Sequence, residues 1–204
     1  MNYKYIIGID EAGRGPLAGS VSVGAVLFSK EEYKKFKKES EKTLTGRDSK
    51  KLSEKKREEW FKIIEVKKKA GVLNFSIGFS SAKVIDIYGI VYAINKAIEK
   101  IFSEFKMKSD ECVVLLDGNL KAPKKFKNQK TIIKGDEKEL IISLASIIAK
   151  VSRDRYIVNL SKKYPEYGFE KHKGYGTKVH YEMIEKHGIC AIHRRTFLKN
   201  SPIK

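Results

Sequence analysis

Apolar residues recur along this chain in two patterns, short runs with a period of two and longer stretches with the period of a helix. Residues 20–28 alternate apolar with small or polar positions, which predicts a half-buried strand. Residues 81–105 space their apolar side chains three or four positions apart, with Ile87, Val91 and Ile101 among those predicted to face inward. The predicted elements are strands over 3–10, 20–28, 72–79, 112–116 and 131–133, and helices over 53–69, 81–105, 137–163 and 178–186.

This order of elements predicts one α/β domain over residues 1–204. The first two strands are adjacent in sequence and are expected to pair antiparallel within a mixed sheet. Residues 164–204 follow the last long helix, and they are expected to form a C-terminal extension with a glycine-rich basic loop over 172–176. No internal repeat or linker divides the chain.

The composition is that of a folded protein that needs no disulfide bond for stability. Apolar residues make up 41% of the 204 positions and charged residues 33%, and a chain of this size can bury a substantial core. Cys112 and Cys190 alone make neither a disulfide framework nor a zinc site. Because no apolar stretch is long enough for a membrane span or a signal peptide, we expect a cytoplasmic protein with no membrane partner. We also expect a monomer.

The net charge of +18 favours a polyanionic partner, since each phosphate that a basic side chain neutralises releases a counterion. Only seven of the 43 basic residues are arginine, however. The runs over 34–38 and 67–69 are typical of solvated helix faces. Charge by itself therefore leaves nucleic acid binding and a merely lysine-rich surface both open.

Acidic residues stand where apolar runs stop. Asp10 and Glu11 follow the first predicted strand, and Asp117 and Asp136 follow two later ones. Ligand sites in open α/β sheets collect beyond strand ends, and clustered carboxylates need cations to offset their repulsion. Oxygen ligands without a Cys or His motif favour Mg²⁺ or Mn²⁺, and two such ions would clamp the attacking and leaving oxygens of a phosphodiester.

Other interpretations of these acids remain open from the residues alone. Asp136 with Glu139 has the spacing of a capping box. Asp117 with Gly118 could open a turn, although the next strand lies too far along for a two-residue hairpin. Asp10 and Glu11 would point to opposite faces of an extended strand, so a shared site is expected to require a bend after Asp10.

Glycines over 13–19 imitate a dinucleotide fingerprint, but a strand pattern follows them where that motif requires a helix. The run Gly8 to Gly19 instead closely resembles the opening of ribonuclease HII, the type 2 ribonuclease H of bacteria. The resemblance continues in order along nearly the whole chain, through the blocks at 48–53, 116–119, 134–136, 145–154, 171–177 and 192–197. The segment 39–47 and the pair Cys190-Ala191 depart from the family pattern, and neither includes an acid named above.

The resemblance implies a ribonuclease H-like fold, a mixed five-stranded sheet flanked by helices with a C-terminal helical extension. It implies Mg²⁺ or Mn²⁺ dependence, with two ions per site, and no organic cofactor. The implied substrates are RNA/DNA hybrids and duplex DNA with single embedded ribonucleotides, nicked on the 5′ side to leave 5′-phosphate and 3′-hydroxyl ends, as in ribonucleotide removal during replication and repair. The matching positions are the catalytic and metal-binding acids Asp10, Glu11, Asp117 and Asp136, the 2′-hydroxyl-sensing loop Gly13, Arg14 and Gly15, the sugar-packing Tyr175, and Lys50 as a phosphate contact.

Several side chains keep two interpretations. The four histidines have no pair at i, i+4 and are expected at the surface or in hydrogen bonds. Arg153 and Arg155 could contact phosphate or pair with acids of this chain.

Two other functions remain as alternatives to a ribonuclease. One is a catalytically silent nucleic-acid-binding module, and the other is a dinucleotide oxidoreductase.

Overall fold

The computed structural model describes residues 3–40 and 52–198, and a five-stranded mixed sheet runs through them. Its strands are β1 (Tyr5–Ala12), β2 (Val21–Ser29), β3 (Leu73–Ser80), β4 (Cys112–Asp117) and β5 (Gln129–Ile132). The spatial order is β3-β2-β1-β4-β5. The first three strands pair antiparallel, whereas β4 lies parallel to both β1 and β5. The predicted mixed sheet is confirmed, and the parallel β4–β5 pair excludes a hairpin at Asp117-Gly118.

Helices cover both faces of the sheet and build the C-terminal part of the chain. Ser53, Ser81 and Thr177 each accept a hydrogen bond from the amide three residues on, the usual N-cap arrangement. The helices are α1 (Lys30–Ser40), α2 (Glu54–Lys69), α3 (Ala82–Tyr88), α4 (Ile90–Phe105), α5 (Gly135–Lys138), α6 (Leu140–Ser161), α7 (Phe169–His172), α8 (Lys178–His187) and α9 (Arg195–Leu198), with 3-10 turns at Ser109–Glu111 and Pro165–Tyr167.

The alternation of side chains along β1 divides the core into two layers. Ile6 packs with α6, α1 and α2 on one face, while Ile7 and Ile9 pack with α4 on the other. Helix α6 packs across β1 and β2, and its backbone at Ala145 and Ala149 lies against Gly24, the residue of β2 that pairs with Asp10. The buried layers therefore hold the acid-bearing end of β1 between two fixed helices.

Helix α6 approaches the sheet so closely that Gly24 on β2 has no room for a side chain. A Cβ there would overlap the carbonyl oxygen of Ala145 and lie 2.8 Å from the amide nitrogen of Ala149, both backbone atoms of α6. We expect Gly24→Ala to lower the free energy of unfolding by about 1–3 kcal/mol, since a helix backbone cannot step aside as a side chain can. Urea denaturation measures this, with Gly15→Ala as the control, because a Cβ at Gly15 meets no atom within 4 Å. Equal stability of the two variants would contradict the close packing.

The predicted helices differ from the observed ones in several places; the helix predicted over 137–163, for example, is interrupted at Glu139, which is extended between α5 and α6. The helix predicted over 81–105 is broken at Gly89, whose φ of +83° only glycine adopts readily. The break shifts the helical phase, so Ile87 and Val91 are 59% and 62% exposed although the pattern predicts them inward. The structure also adds α1, absent from the predicted order, and its lysines over 34–38 are exposed as the solvated-face interpretation expects.

The C-terminal extension folds back onto the loop that follows β1. Leu17 and Ala18 of that loop share an apolar cluster with Tyr167, Phe169 and Ile184. Backbone bonds reinforce the contact, including a bridge between Ala18 and His193. Across residues 3–40 and 52–198 no helix has the length and apolarity to cross a membrane. The single domain over 1–204 stays a prediction.

Candidate active site

Three of the four predicted acids meet where β1 and β4 separate. Asp10, Glu11 and Asp117 each offer a carboxylate oxygen, and the three atoms lie within 4.8 Å of one another. The parallel ladder between the strands ends at Ile9 and Leu116, so Asp10 and Asp117 occupy the first positions beyond it. Carboxylates this close repel unless a cation lies between them.

The bend expected after Asp10 is wrong. Strand β1 continues to Ala12, and Asp10 and Glu11 still pair with Gly24 and Val23 of β2. The two carboxylates reach one site because the Asp10 side chain turns along the strand, where its Oδ1 accepts the Glu11 amide at 2.7 Å. The loss of β4 pairing beyond Ile9 leaves space for both carboxylates.

Asp136 lies beside this group without belonging to it. The amide of Gly135 donates to Asp117 Oδ1 at 2.6 Å, which places the start of α5 against the cluster. Asp136 follows directly and is buried. The capping-box interpretation is wrong, because the residue before α5 is Lys134, in the left-handed conformation, and the N-cap of α6 is Glu139, neither with a side-chain cap bond.

The oxygen set fits a divalent metal ion. Glu11 Oε1 pairs with Arg14, whereas Glu11 Oε2 is buried and accepts no hydrogen bond from the part of the chain that the structure describes. A buried carboxylate oxygen without a donor is unfavourable, and a cation would satisfy it. Three hard oxygens from rigid strand ends are the ligands that Mg²⁺ and Mn²⁺ prefer.

A pocket of about 350 Å³ opens beside Glu11 and gathers most of the predicted substrate-binding residues. Gly13, Arg14, Gly15 and Tyr175 all line it. Lys50 lies outside the described residues, so its prediction has no structural outcome. Four lining residues were not among the predicted sites: Ala12 at the end of β1, Arg57 from α2, and Ser146 and Lys150 from α6. Ser146 and Lys150 are spaced i, i+4 on one helix face, a signal that the sequence carries but that close packing explains equally well.

The loop over 13–15 uses its two glycines differently. Gly13 has a φ of +92°, and a Cβ there would overlap the side chain of Arg153. Gly15 has neither constraint, and the space around it is open to the pocket. Gly13 is therefore required by the fold, whereas Gly15 leaves the backbone accessible to a ligand.

Arg153 serves mainly as a donor to backbone carbonyls, a role that neither interpretation from the sequence named. It is fully buried, and its guanidinium donates to the carbonyl oxygens of Ala18, Ser20 and Lys173 at 3.2, 3.0 and 3.0 Å. Burial lowers the pKa of this guanidinium. Its nearest approach to Asp154 is 4.0 Å, at the limit for an ion pair. Arg155 is exposed and forms the predicted kind of intrachain pair, with Glu58.

Tyr175 closes one side of the pocket. The residue is 41% exposed, and Lys150 Nζ and Arg153 Cζ lie 5.4 and 5.8 Å from the centre of its ring. The backbone of Tyr175 is anchored, since its carbonyl oxygen lies 2.8 Å from His180 Nδ1. An anchored, partly exposed aromatic ring beside a glycine-lined backbone can stack on a sugar or base.

Comparison with known proteins agrees with this geometry. The family model for ribonuclease HII matches residues 7–200. Ribonuclease HII of Caldicellulosiruptor bescii is 48% identical over 97% of this chain and 88% of its own, and that of Clostridioides difficile is 46% identical over 97% and 71%. Among solved structures, the PCNA:RNase HII complex from Archaeoglobus fulgidus matches with a TM-score of 0.73 and 25% identity, covering 98% of this chain and 96% of that one. Ribonuclease H2 of Pyrococcus horikoshii matches with a TM-score of 0.66 and 27% identity over 94% and 93%. The chain therefore belongs to the ribonuclease HII family, and it is a metal-dependent endonuclease of the ribonuclease H type that acts on RNA/DNA substrates.

Proposed function

We propose that this endonuclease hydrolyses the RNA strand of RNA/DNA hybrids and also nicks duplex DNA on the 5′ side of a single embedded ribonucleotide. The observation that carries the proposal is that Glu11 lines the same pocket as Gly15 and Tyr175. One cavity thus combines a carboxylate of the acidic cluster with accessible loop backbone and an aromatic ring, both of which are suited to contact a sugar. The 2′-hydroxyl is the group that separates RNA from DNA at one nucleotide, so a site that reads it needs only one ribose.

Asp10, Glu11 and Asp117 would hold Mg²⁺ or Mn²⁺, with Asp136 completing the set from α5. Two such ions, when bound, supply Lewis-acid activation of the attacking and leaving oxygens of a phosphodiester. The protein residues position the substrate for this chemistry. The loop over 13–15 and Tyr175 hold the ribose, while Lys50, Arg57 and Lys150 contact phosphates. These contacts set affinity and register without reading the base sequence.

In-line hydrolysis at this site would leave a 5′-phosphate and a 3′-hydroxyl. The 3′-hydroxyl end can be extended by a polymerase, so the reaction suits removal of ribonucleotides from DNA during replication and repair. We propose that the protein acts as a monomer in the cytoplasm.

The test compares three labelled duplexes that differ only in sugar: all DNA, DNA with one ribonucleotide, and a continuous RNA/DNA hybrid. With Mg²⁺ or Mn²⁺ we expect one nick 5′ of the single ribonucleotide, multiple cuts in the hybrid and none in all-DNA duplex, and no cutting in EDTA. The 3′-hydroxyl is checked by polymerase extension of the nicked product. Cutting of the hybrid but not of the single ribonucleotide would contradict the proposal, and binding without cutting of either would favour a silent binding module.

A further inference from the structure

A buried arginine from the C-terminal extension lies directly beneath the loop that faces the pocket. Arg194 is fully buried, and all three of its guanidinium nitrogens donate to backbone carbonyls of the segment after β1. Nη2 donates to Gly13 at 2.7 Å, Nη1 to Arg14 at 2.9 Å and Nε to Gly19 at 2.9 Å. One side chain therefore fixes the orientation of consecutive peptide groups in the loop.

Because of the geometry of the peptide bond, this contact also determines where the backbone N–H groups of the loop point. No described peptide bond is cis, and in a trans peptide the N–H points opposite to the C=O. The carbonyls of Gly13 and Arg14 point inward to Arg194, so the N–H groups of Arg14 and Gly15 point outward. Neither N–H donates to another residue within 3–40 and 52–198, and both residues line the pocket.

Filling space beneath the loop does not by itself explain this arginine. Burial, with the nearby charge of Arg153 second, lowers the pKa of Arg194 to about 9, so the environment disfavours the charge although the group stays protonated at neutral pH. An apolar side chain would fill the same space without burying a charge, but it would leave three carbonyls without their donor. The planar guanidinium of arginine instead binds all three in one fixed arrangement.

We infer that Arg194 is a positioning residue for substrate discrimination: it holds the peptide groups of Gly13 and Arg14 so that the amides of Arg14 and Gly15 are presented to the ribose 2′-hydroxyl. Arg194 touches no substrate and acts only through the loop. Arg153 supports the later part of the same segment by donating to the carbonyls of Ala18 and Ser20. This inference rests on the proposed reading of a single ribose.

The test measures a ratio that a general loss of folding cannot change. Binding of a one-ribonucleotide duplex and of its all-DNA counterpart is compared by fluorescence anisotropy in Mg²⁺, in an Asp117→Asn background that prevents cleavage. We expect at least about a 10-fold preference for the ribose-containing duplex, and in Arg194→Lys a fall of that preference to within about 3-fold of none, with all-DNA affinity unchanged. A partly unfolded sample would weaken both duplexes equally and leave the ratio intact.

Arg194→Gln provides a second variant, because it removes the buried charge while keeping a small donor. Arg195→Lys is the matched control, an exposed neighbour that should keep the full preference. Unchanged preference in folded Arg194 variants would overturn the inference while leaving the proposed function standing. Loss of the folded state in both variants would also overturn it, since Arg194 would then be a stability residue. If the parent protein shows no preference for the ribose-containing duplex, both the inference and the proposed recognition of a single ribose are overturned.

Discussion

Asparagine at position 10 or 117 is expected to lower kcat by at least about 1,000-fold with little change in substrate binding. Each replacement keeps the size of the side chain and removes one charged oxygen from a group whose atoms lie within 4.8 Å of one another. Loss of a ligand to a catalytic divalent ion removes several kcal/mol of transition-state stabilisation, and each 1.4 kcal/mol corresponds to a factor of 10. Initial rates on an RNA/DNA hybrid with saturating Mn²⁺ measure the effect.

Asp110→Asn is the matched control for this prediction. Asp110 is exposed and precedes β4, whereas Asp117 ends it, so the same charge is removed from the opposite end of the same strand. We expect its rate to remain within about 2-fold of the parent. Near-parental cleavage by Asp10→Asn or Asp117→Asn would contradict the metal assignment.

Thermal unfolding separates a metal ligand from a structural acid. A bound ion raises Tm, and at a given ion concentration the rise is larger when the ion binds the folded state more tightly. We therefore expect the Mn²⁺-induced rise in Tm to shrink strongly in Asp117→Asn, while Tm in EDTA stays equal or increases because a repulsive contact is removed. A lowered Tm in EDTA with an intact Mn²⁺ response would mean that Asp117 supports the fold through Gly135 instead.

The acids could be located from sequence because strand ends are readable where apolar runs stop. Their geometry could not be predicted from sequence, because it depends on where the β1–β4 pairing ends while the β1–β2 pairing continues. The end of β1–β4 pairing at Ile9 and Leu116, while β1–β2 pairing runs to Ala12, makes room for the carboxylates without a bend. Pairing length is a tertiary property, so a rule for isolated strands gave the wrong local conformation at Asp10.

The support beneath the substrate loop could not be predicted for a different reason. Arg153 and Arg194 lie 41 positions apart in sequence, and each binds carbonyls more than 130 residues away. A basic side chain in a basic protein suggests a phosphate contact, and nothing local distinguishes an arginine that will be buried. The folding back of the extension over residues 13–19 creates the carbonyl-lined sites that both guanidinium groups fill.

Three histidines, His172, His180 and His193, pack together near Tyr175, and hydrogen bonds to the backbone determine which of their ring nitrogens carry hydrogen. The Tyr175 carbonyl can only accept, so His180 Nδ1 carries hydrogen, and the Cys190 amide can only donate, so His193 Nδ1 carries none. Neutral His193 then donates from Nε2 to His180 Nε2 at 3.0 Å. His172 stacks on His180 and is fixed in the same way, between the Tyr167 carbonyl and the Gly174 amide.

Lowering the pH from 7.5 to 5 is therefore expected to destabilise the protein by roughly 1–2 kcal/mol for each of His180 and His193. Burial lowers the pKa of both rings to about 4, while in the unfolded chain they titrate near 6.5. The unfolded state thus binds more protons between these values, and stability is lost as the pH falls through that window. His172, the Cys190 thiol and the Tyr167 ring face the pair, and none of them supplies a negative charge near neutral pH that would favour a protonated ring.

Urea denaturation across pH 5 to 7.5 measures this dependence, and His193→Gln isolates its source. The variant is expected to be less stable at pH 7.5, because it loses the bond to His180, but to show a shallower decline toward pH 5, because one buried titrating ring is gone. His187→Gln is the matched control, since His187 is exposed on α8 and its loss should leave the slope unchanged. A parental slope in His193→Gln would mean that other groups carry the acid sensitivity.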